Sequence, residues 1–400
     1  MGYESLTKRK VLFWTILIFA QFVFIETGIR VFFAFHVGPR ILFYGTERRT
    51  KVVDPPPHNI GRATNRSFTG YTKYFPNERK VDYKPETGEA FSVVMNSRGF
   101  RGEEFTEEKP PGVTRIVTLG SSSTFGYRSK DDETYPFYLE EILNRQFPNK
   151  RFEVINLGIP HLKSAQVLAL AYTEGLQLNP DFVTIYDGIN DSGTLAPVPS
   201  QNVKDGPDNL PRVPRQTLRE RIESVDWLKP IYRGTRNISL AVLFVDSFLN
   251  DSPTHDKSAV EKYLAERNQY FVASISAIRD ECVRRGIEFI VVSQQAQSLS
   301  LKNLKGVTYD TEAEIVRNKL ATGQRLRFYE VAFLRHHALN QEIRSWVASN
   351  GVRFVDAIAA LDQDRDVLLS WVHLSPRGNR LVAEAIAREI SVAISEASTG

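Results

Sequence analysis

The chain has 400 residues, of which 42% are hydrophobic, 24% charged and 11% aromatic, which excludes wholesale disorder, a collagen-like fibre and a multi-span membrane protein. Its 51 Lys and Arg residues outnumber the 47 Asp and Glu residues by only four, so no nucleic-acid partner is expected. Cys282 is the one cysteine, which excludes an intrachain disulfide and any metal site built from several cysteines.

The N-terminal residues, 1–36, are predicted to be a single-pass membrane anchor. The basic residues Lys8–Lys10 precede the apolar run Val11–Ile25, and the apolar pattern resumes over Val31–Phe35. As one helix this segment would reach roughly 37 Å, enough to cross a hydrocarbon core of about 30 Å. A cleaved signal peptide and a buried core helix are the alternatives, but no convincing cleavage site follows the run. The leading basic residues favour an N-terminus inside and the remaining chain outside the cytoplasm, although basic residues from Arg40 onward weaken that orientation.

Residues 37–111 are predicted to form a linker-like accessory segment with short strands. Pro55–Pro57 and scattered Gly, Asn and Thr are typical of loops, and Phe91–Met95 is a predicted strand. Pro110 and Pro111, followed by Gly112, mark the boundary to a different kind of sequence.

Residues 112–400 alternate between apolar runs and helical patterns, which predicts a three-layer α/β/α domain with a mostly parallel five-stranded sheet. The predicted strands are Arg115–Leu119, Phe152–Leu157, Phe182–Tyr186, Ile287–Val292 and Val352–Val355. The predicted helices are Pro136–Phe147, Ser164–Leu176, Ala259–Arg285, Phe328–Asn350 and Ser375–Ile394, the last with Ser375 as N-cap and Pro376 at the first helical position. Residues 192–257 interrupt the alternation of strand and helix patterns. They are predicted to be an insertion over the carboxyl edge of the sheet, with a surface loop that has no role in the site as the alternative.

Four short motifs follow predicted strands or precede the last helix. They are Gly120–Gly126, with three serines, Asn156–Pro160, Asp187–Asp191 and Val372–Asn379. A serine on a tight turn can act as a nucleophile, glycine N–H and asparagine amide groups can donate to an oxyanion, and histidine suits a general base. Each motif alone also fits a helix cap, a turn glycine, an Asx-turn or a polar residue at a helix start.

The order and spacing of the four motifs resemble the SGNH hydrolase superfamily, also called the GDSL esterase/lipase family, over about residues 113–395. The signature positions are Ser122, Gly158, Asn190 and His373. The resemblance implies that Ser122 attacks an ester carbonyl and that His373 takes its proton. It also implies that the backbone N–H groups of Ser122 and Gly158, together with the Asn190 amide, hold the oxyanion.

Two residues depart from the pattern of that family. Ser121 stands where the name motif has Asp, and Ser370 stands at the usual position of the triad acid, three residues before the histidine. A hydroxyl can accept a hydrogen bond from imidazole but cannot stabilise imidazolium as a carboxylate does. Three possibilities follow: a Ser–His dyad oriented by a backbone carbonyl, another carboxylate such as Asp366 or Asp356, or a weak or inactive relative.

No cofactor and no metal are expected. His336 and His337 are adjacent on a predicted helix, where their side chains point about 100° apart and share a metal poorly. His161 is a candidate either to line the pocket or to face solvent. Trp371 is a candidate wall of the acyl or sugar site, but packing against the last helix is the favoured interpretation.

The expected function is a serine-dependent esterase or O-acyltransferase. The implied substrate is an acyl ester, with envelope or exported glycans or lipids as its source, and the membrane is an expected partner through the N-terminal helix. The alternative is a catalytically weak or inactive binding or scaffold protein of an envelope assembly.

Overall fold

The computed structural model describes residues 14–17, 19–31, 49–52, 71–84, 89–192, 254–255, 257–265, 269–301 and 303–399. The chain divides into two compact units, one of Met1–Arg48 and Pro199–Pro253, the other of Arg49–Val198 and Thr254–Gly400. Most of the predicted insertion at 192–257 therefore lies outside the described residues. The domain boundaries of the sequence analysis stay a prediction.

The described part of the first unit is an apolar helix, α1, over Trp14–Val31. Its mean hydropathy is 1.5 and none of it is buried, so by length and composition it could cross a membrane, a test that a signal sequence also passes. Within α1, Arg30 Nε donates to Glu26 Oε1 at 2.7 Å, one helical turn away. The remainder of the predicted anchor lies outside the described residues.

The second unit carries all the described strands. They are β1 (Arg49–Val52), β2 (Tyr71–Tyr74), β3 (Arg79–Tyr83), β4 (Ala90–Val94), β5 (Val113–Gly120), β6 (Arg151–Asn156), β7 (Phe182–Tyr186), β8 (Thr254–His255), β9 (Glu288–Val292), β10 (Leu326–Arg327) and β11 (Arg353–Val355). Its α-helices are α2 (Ser122–Phe125), α3 (Tyr135–Gln146), α4 (Ser164–Thr173), α5 (Ile189–Ser192), α6 (Lys257–Ala265), α7 (Gln269–Arg285), α8 (Tyr309–Ala321), α9 (Phe328–Asn350), α10 (Ala357–Leu361) and α11 (Pro376–Thr399).

The main sheet has five strands in the order β11-β9-β7-β5-β6, all paired in parallel. One face packs on α4, α7 and α9, and the other packs on α3 and α11. The predicted three-layer α/β/α architecture is therefore confirmed. All five strands end at the same edge, which brings the loops after β5, β6, β7 and β9 together.

Most predicted helices match the observed ones closely, and α9 has the predicted bounds. Ser375 Oγ accepts from Gly378 N at 3.3 Å, which confirms it as the N-cap of α11. The helix from Ser164 ends at Thr173 rather than Leu176, because a 3₁₀ turn over Gly175–Leu178 follows. Two helices, α6 and α7, occupy the predicted span Ala259–Arg285, with residues 266–268 outside the described part. Helix α8 was not predicted, although Thr308 caps it by accepting from Thr311 N.

The segment before the main sheet packs directly on the α/β layers. Tyr71 of β2 and Phe100 are almost fully buried in the same apolar cluster as β5 and β7. Tyr71 Oη lies 2.7 Å from Thr173 Oγ1, and Lys73 Nζ donates to Glu174 Oε1 at 2.7 Å. Strands β3 and β4 form an antiparallel hairpin. The described part of this accessory segment is thus packed against the end of α4.

Candidate active site

Ser122 is the first residue of α2, directly after the central strand β5. Gly120 at the end of that strand has φ +155°, and a Cβ there would lie 2.2 Å from Thr124 Oγ1 and 2.4 Å from the Tyr186 carbonyl oxygen. Only glycine lets the chain turn this tightly from strand to helix. The turn places Ser122, 9% exposed, at the carboxyl edge of the sheet.

His373 reaches this serine from the loop before α11. Its Nε2 lies 3.0 Å from Ser122 Oγ, and its Nδ1 lies 2.8 Å from Ser370 Oγ. Two residues that are 251 positions apart in the chain are therefore within hydrogen-bond distance, as the resemblance implies. The side chains form a continuous Ser122–His373–Ser370 chain of hydrogen bonds.

Ser370 occupies the position of a triad acid with different hydrogen-bonding properties. Its Oγ also accepts from the backbone N–H of His373 at 3.1 Å and, at a longer 3.4 Å, from that of Val372. A carboxylate only accepts and so requires a proton on Nδ1, whereas a hydroxyl can either accept from Nδ1 or donate to it. Catalysis requires the tautomer in which Ser370 Oγ accepts from Nδ1–H, because Nε2 is then free to take the proton of Ser122.

The two carboxylates considered as substitutes do not reach His373. Among the described residues, Nδ1 bonds to Ser370 alone. Asp356 instead accepts from Ala359 N at the start of α10 and pairs with Arg344 at 2.7 and 2.8 Å. Asp366 lies in a 3₁₀ turn over Arg365–Val367. Of the three residues considered for orienting His373, Ser370 is therefore the one that contacts the imidazole among the described residues.

The surroundings of His373 disfavour its protonated form. Burial, the positive charge of Arg128 and the nearby His161 lower the pKa of the imidazole to about 4. The ring of Tyr127 lies over it, with ring centroids 5.0 Å apart. At neutral pH His373 is therefore uncharged and available as a base, but no carboxylate among the described residues bonds to it to compensate the charge it acquires on taking a proton.

The residues expected to hold an oxyanion lie on the loops around Ser122. The N–H of Ser122, as the first in a helix, has no acceptor within that helix. Gly158 N donates to Asn156 Oδ1 at 2.9 Å, and a Cβ on Gly158 would lie 2.2 Å from the backbone nitrogen of Phe125 in α2. Asn190 Nδ2 donates to the Leu162 carbonyl at 2.8 Å with one of its two N–H bonds.

A buried polar loop after β9, unnoticed in the sequence analysis, ties these parts together. Gln294 donates from Nε2 to Ser123 Oγ at 3.0 Å and accepts at Oε1 from Ile189 N at 2.8 Å, so it links α2 to α5. Gln297 Nε2 donates to the Ser370 carbonyl at 2.7 Å, and its N–H donates to the Trp371 carbonyl at 2.8 Å. The two buried glutamines thus hold the segments at both ends of the Ser122–His373–Ser370 hydrogen-bond chain. The sequence signal for this loop is the mostly polar run Ser293–Ser298, directly after a buried strand.

The remaining candidates have other surroundings. His336 is fully buried with Nδ1 2.8 Å from Tyr309 Oη, while His337 lies between Asp310 and Arg317. The described residues contain no group of three or more His, Cys, Asp or Glu side chains that could hold a metal. The ring of Trp371 packs edge-on against Tyr329 at 5.3 Å.

A second buried carboxyl group lies beside the nucleophile turn. Asp187 is 3% exposed, and its Oδ1 accepts from Ser121 Oγ at 2.7 Å, so the serine in the place of the motif's Asp has a carboxylate partner after all. Its Oδ2 is buried without a partner among the described residues. Burial and the nearby Asp191 raise the pKa of Asp187 from 3.8 to about 7.

We expect Asp187→Asn to remove a pH-dependent loss of stability. The pKa of Asp187 in the folded protein, about 7, lies above the ordinary 3.8. Its contribution to the free energy of unfolding is therefore complete below pH 3.8 and is lost as the pH rises through about 7. The loss has an upper value of about 4 kcal/mol. Asn resembles the protonated acid, so the variant should match the wild type near pH 4 and be more stable at pH 8. Urea unfolding at both pH values measures this; equal pH dependence in the two proteins would contradict it.

Comparison with known proteins supports the resemblance. The model of the GDSL-like Lipase/Acylhydrolase family matches residues 118–300, which is somewhat less than half of the chain. This match supports a place for the chain in the SGNH hydrolase superfamily. The match includes Ser122, Gly158 and Asn190 and ends before His373. No curated protein sequence matches the chain.

Several solved structures resemble this chain. A GDSL-like lipase from Bacteroides thetaiotaomicron is 14% identical, with 70% of this chain and 89% of that chain covered and a TM-score of 0.38. An acetyl xylan esterase variant from Geobacillus stearothermophilus is 14% identical, with 71% and 97% covered and a TM-score of 0.38. A member of the lipolytic G-D-S-L family from Veillonella parvula is 13% identical, with 69% and 97% covered and a TM-score of 0.34.

Proposed function

We propose that this protein cleaves acyl esters with Ser122 as the nucleophile. The observation that carries the proposal is the 3.0 Å contact between Ser122 Oγ and His373 Nε2 at the carboxyl edge of the sheet. A hydroxyl in hydrogen-bond contact with a neutral imidazole is the arrangement that nucleophilic catalysis requires.

The proposed reaction has two steps. Ser122 Oγ attacks the ester carbonyl carbon while its proton passes to His373 Nε2, and the tetrahedral intermediate then expels the alcohol, which takes that proton. A water molecule, or the hydroxyl of an acceptor, next attacks the acyl-serine and gives its proton to His373. The second tetrahedral intermediate then expels Ser122 Oγ, which takes that proton back from His373. Water gives hydrolysis, whereas an acceptor hydroxyl gives acyl transfer.

The oxyanion of both intermediates lies at the start of α2. The N–H of Ser122, the second N–H of the Asn190 amide and the N–H of Gly158 are the proposed donors. The Gly158 N–H, which donates to Asn156 Oδ1 in this structure, would donate to the substrate oxygen instead. Ser370 orients the imidazole through Nδ1, and the neutral site makes the base weaker than one paired with a carboxylate.

The proposed location is the membrane, with the catalytic unit outside the cytoplasm. The support is the apolar helix α1, preceded in sequence by Lys8–Lys10. An enzyme held there meets acyl esters of envelope or exported glycans, or of lipids, and we propose these as its substrates.

A second candidate is a binding or scaffold protein with little catalytic activity. The observation in its favour is Ser370, a hydroxyl where the catalytic acid of this family stands. If this candidate is correct, Ser122→Ala leaves the biological role intact in a stably folded protein.

The test uses the purified full chain in detergent with two probes, p-nitrophenyl acetate and a fluorophosphonate. We expect turnover of the ester and a single phosphonate adduct, which mass spectrometry of the peptide around Gly120–Gly126 assigns to Ser122 rather than to its neighbours Ser121 and Ser123. Transfer is detected as acetylated oligosaccharide when one is added as acceptor. A folded protein that is inert to both probes, and to acetylated glycans, would overturn the proposal.

A further inference from the structure

Arg101 lies beneath the nucleophile turn, although it belongs to the accessory segment that precedes the main sheet. It is 2% exposed, and its guanidinium donates to three backbone carbonyls that follow Ser122. These bonds are Nη1 to Phe125 O at 3.1 Å, Nη1 to Gly126 O at 2.7 Å and Nη2 to Ser129 O at 2.5 Å. Nε donates to Asp131 Oδ1 at 2.8 Å, which supplies the opposite charge that a buried cation needs.

The carbonyls that Arg101 binds are those that the short helix cannot satisfy itself. Helix α2 has only four residues, so the carbonyl groups at its end need hydrogen-bond donors from elsewhere. The chain then passes through two left-handed residues, Gly126 at φ +81° and Arg128 at φ +71°. A planar guanidinium with donors in fixed directions holds such a turn in one shape, which a lysine ammonium group cannot do.

The turn held by Arg101 also forms one wall around His373. Tyr127 stacks near the imidazole, and Arg128 pairs with Asp82 of β3 at 3.2 Å while its charge acts on His373. His161 is the other titratable group whose charge acts on the imidazole. Both the position of Ser122 and the electrostatic surroundings of its base therefore depend on the turn over residues 126–129.

We propose that Arg101 is a positioning residue of the active site, holding the Ser122 helix and the Tyr127–Arg128 turn against His373. It touches neither substrate nor reacting atoms and acts through the backbone that carries them. The accessory segment is then a working part of the active site rather than a spacer. The expected effect on kcat rests on the proposed esterase function, whereas the expected effect on the position of the turn and on His373 rests on the geometry alone.

Arg115 provides a matched control. It lies near the amino end of β5, the strand whose carboxyl end leads into Ser122. It is fully buried, and its guanidinium donates to Glu153 Oε2 at 2.6 Å, to Leu178 O at 2.8 Å and to Glu107 O at 3.0 Å. It thus resembles Arg101 in burial and in its mix of carboxylate and carbonyl partners. Its place near the amino end of β5 separates it from the site.

The experiment compares Arg101→Lys with Arg115→Lys in the full chain, with thermal melting used to correct for the folded fraction. Lysine keeps the charge, so only the geometry of the donors changes. We expect Arg101→Lys to lower kcat for p-nitrophenyl acetate by roughly 10- to 100-fold with little change in KM, because Ser122 is misplaced. Arg115→Lys is expected to lower the melting temperature while kcat per folded molecule stays unchanged.

The pH dependence gives a readout that a purely structural role would not move. When the turn loosens, His373 gains solvent and moves away from Arg128, and both changes raise the pKa of the imidazole. We expect the acidic limb of kcat/KM to move upward from about pH 4 in Arg101→Lys and to stay in place in Arg115→Lys. Asp131→Asn, at a half-exposed site, is a milder second variant expected to move the limb in the same direction.

An NMR titration of isotope-labelled histidine makes the outcome independent of activity, with the His373 signal assigned by its loss in His373→Gln. If the wild type turns over no ester, the proposed function fails, and an upward shift of the His373 titration in Arg101→Lys still supports the positioning role. Equal kcat and equal His373 titration in Arg101→Lys and Arg115→Lys would overturn that role, whether or not the wild type is active.

Discussion

Replacing Ser122 with alanine is expected to lower kcat for ester cleavage by roughly 10³-fold or more and to abolish fluorophosphonate labelling. The hydroxyl lies 3.0 Å from His373 Nε2, and its removal leaves residue 122 without an atom that can form the acyl-enzyme. Any residual turnover would come from water activated by His373 beside the oxyanion donors. Steady-state kinetics with p-nitrophenyl acetate and labelling of the same preparation measure both effects.

The neighbouring serine supplies the control for this variant. Ser123 Oγ accepts from Gln294 Nε2 at 3.0 Å and has no contact with the imidazole. Ser123→Ala should keep the label on Ser122, with at most a modest fall in kcat from the loss of that support. If Ser122→Ala retained wild-type turnover, the nucleophile would have to lie elsewhere and the assignment of the site would be wrong.

Replacing Ser370 with aspartate is expected to raise kcat/KM by roughly 10- to 100-fold at pH 8. A carboxylate at this position accepts from Nδ1, which leaves Nε2 free to take the proton of Ser122, and it stabilises the imidazolium that forms. The backbone N–H groups of His373 and Val372, which now donate to the hydroxyl, remain available to the new carboxylate. The gain is bounded, because the oxyanion donors are unchanged.

The same variant should also change the pH profile, and the direction follows from charge. The wild-type imidazole has a pKa near 4, lowered by burial and by Arg128 and His161. A carboxylate beside Nδ1 favours the charged imidazole and raises its pKa, so the acidic limb of kcat/KM moves upward. The variant should therefore gain most at alkaline pH and lose its advantage as the pH falls below the new pKa.

Ser370→Asn separates the charge from the shape of the new side chain. It has nearly the same size as aspartate but no charge, and its amide, like the hydroxyl, can either accept from Nδ1 or donate to it. We expect no gain in kcat/KM and no upward shift of the acidic limb for this variant. A gain of equal size for Asn and Asp would show that charge stabilisation of His373 does not limit the reaction.

The sequence by itself determined the fold class and four of the positions that meet at the site. Short apolar strands predicted to end at Leu119, Leu157 and Tyr186 indicate a parallel sheet, and parallel strands expose all their carboxyl ends at one edge. This topological rule is why Ser122, Gly158 and Asn190 could be grouped without any knowledge of distances. His373 was singled out as a general-base candidate before the last helix, and the order of the four motifs in the resemblance joined it to the other three.

The tertiary structure alone decided which groups surround those positions. Whether Ser370, Asp356 or Asp366 orients His373 depends on the path of one loop, and sequence spacing does not fix a distance. Gln294, Gln297 and Arg101 each act through hydrogen bonds to residues between 24 and 171 positions away, and such bonds leave no periodic pattern in the sequence. Local patterning therefore defines strands, turns and nucleophile, whereas the protonation of the base and the support of the turn follow from contacts that exist only once the chain has folded.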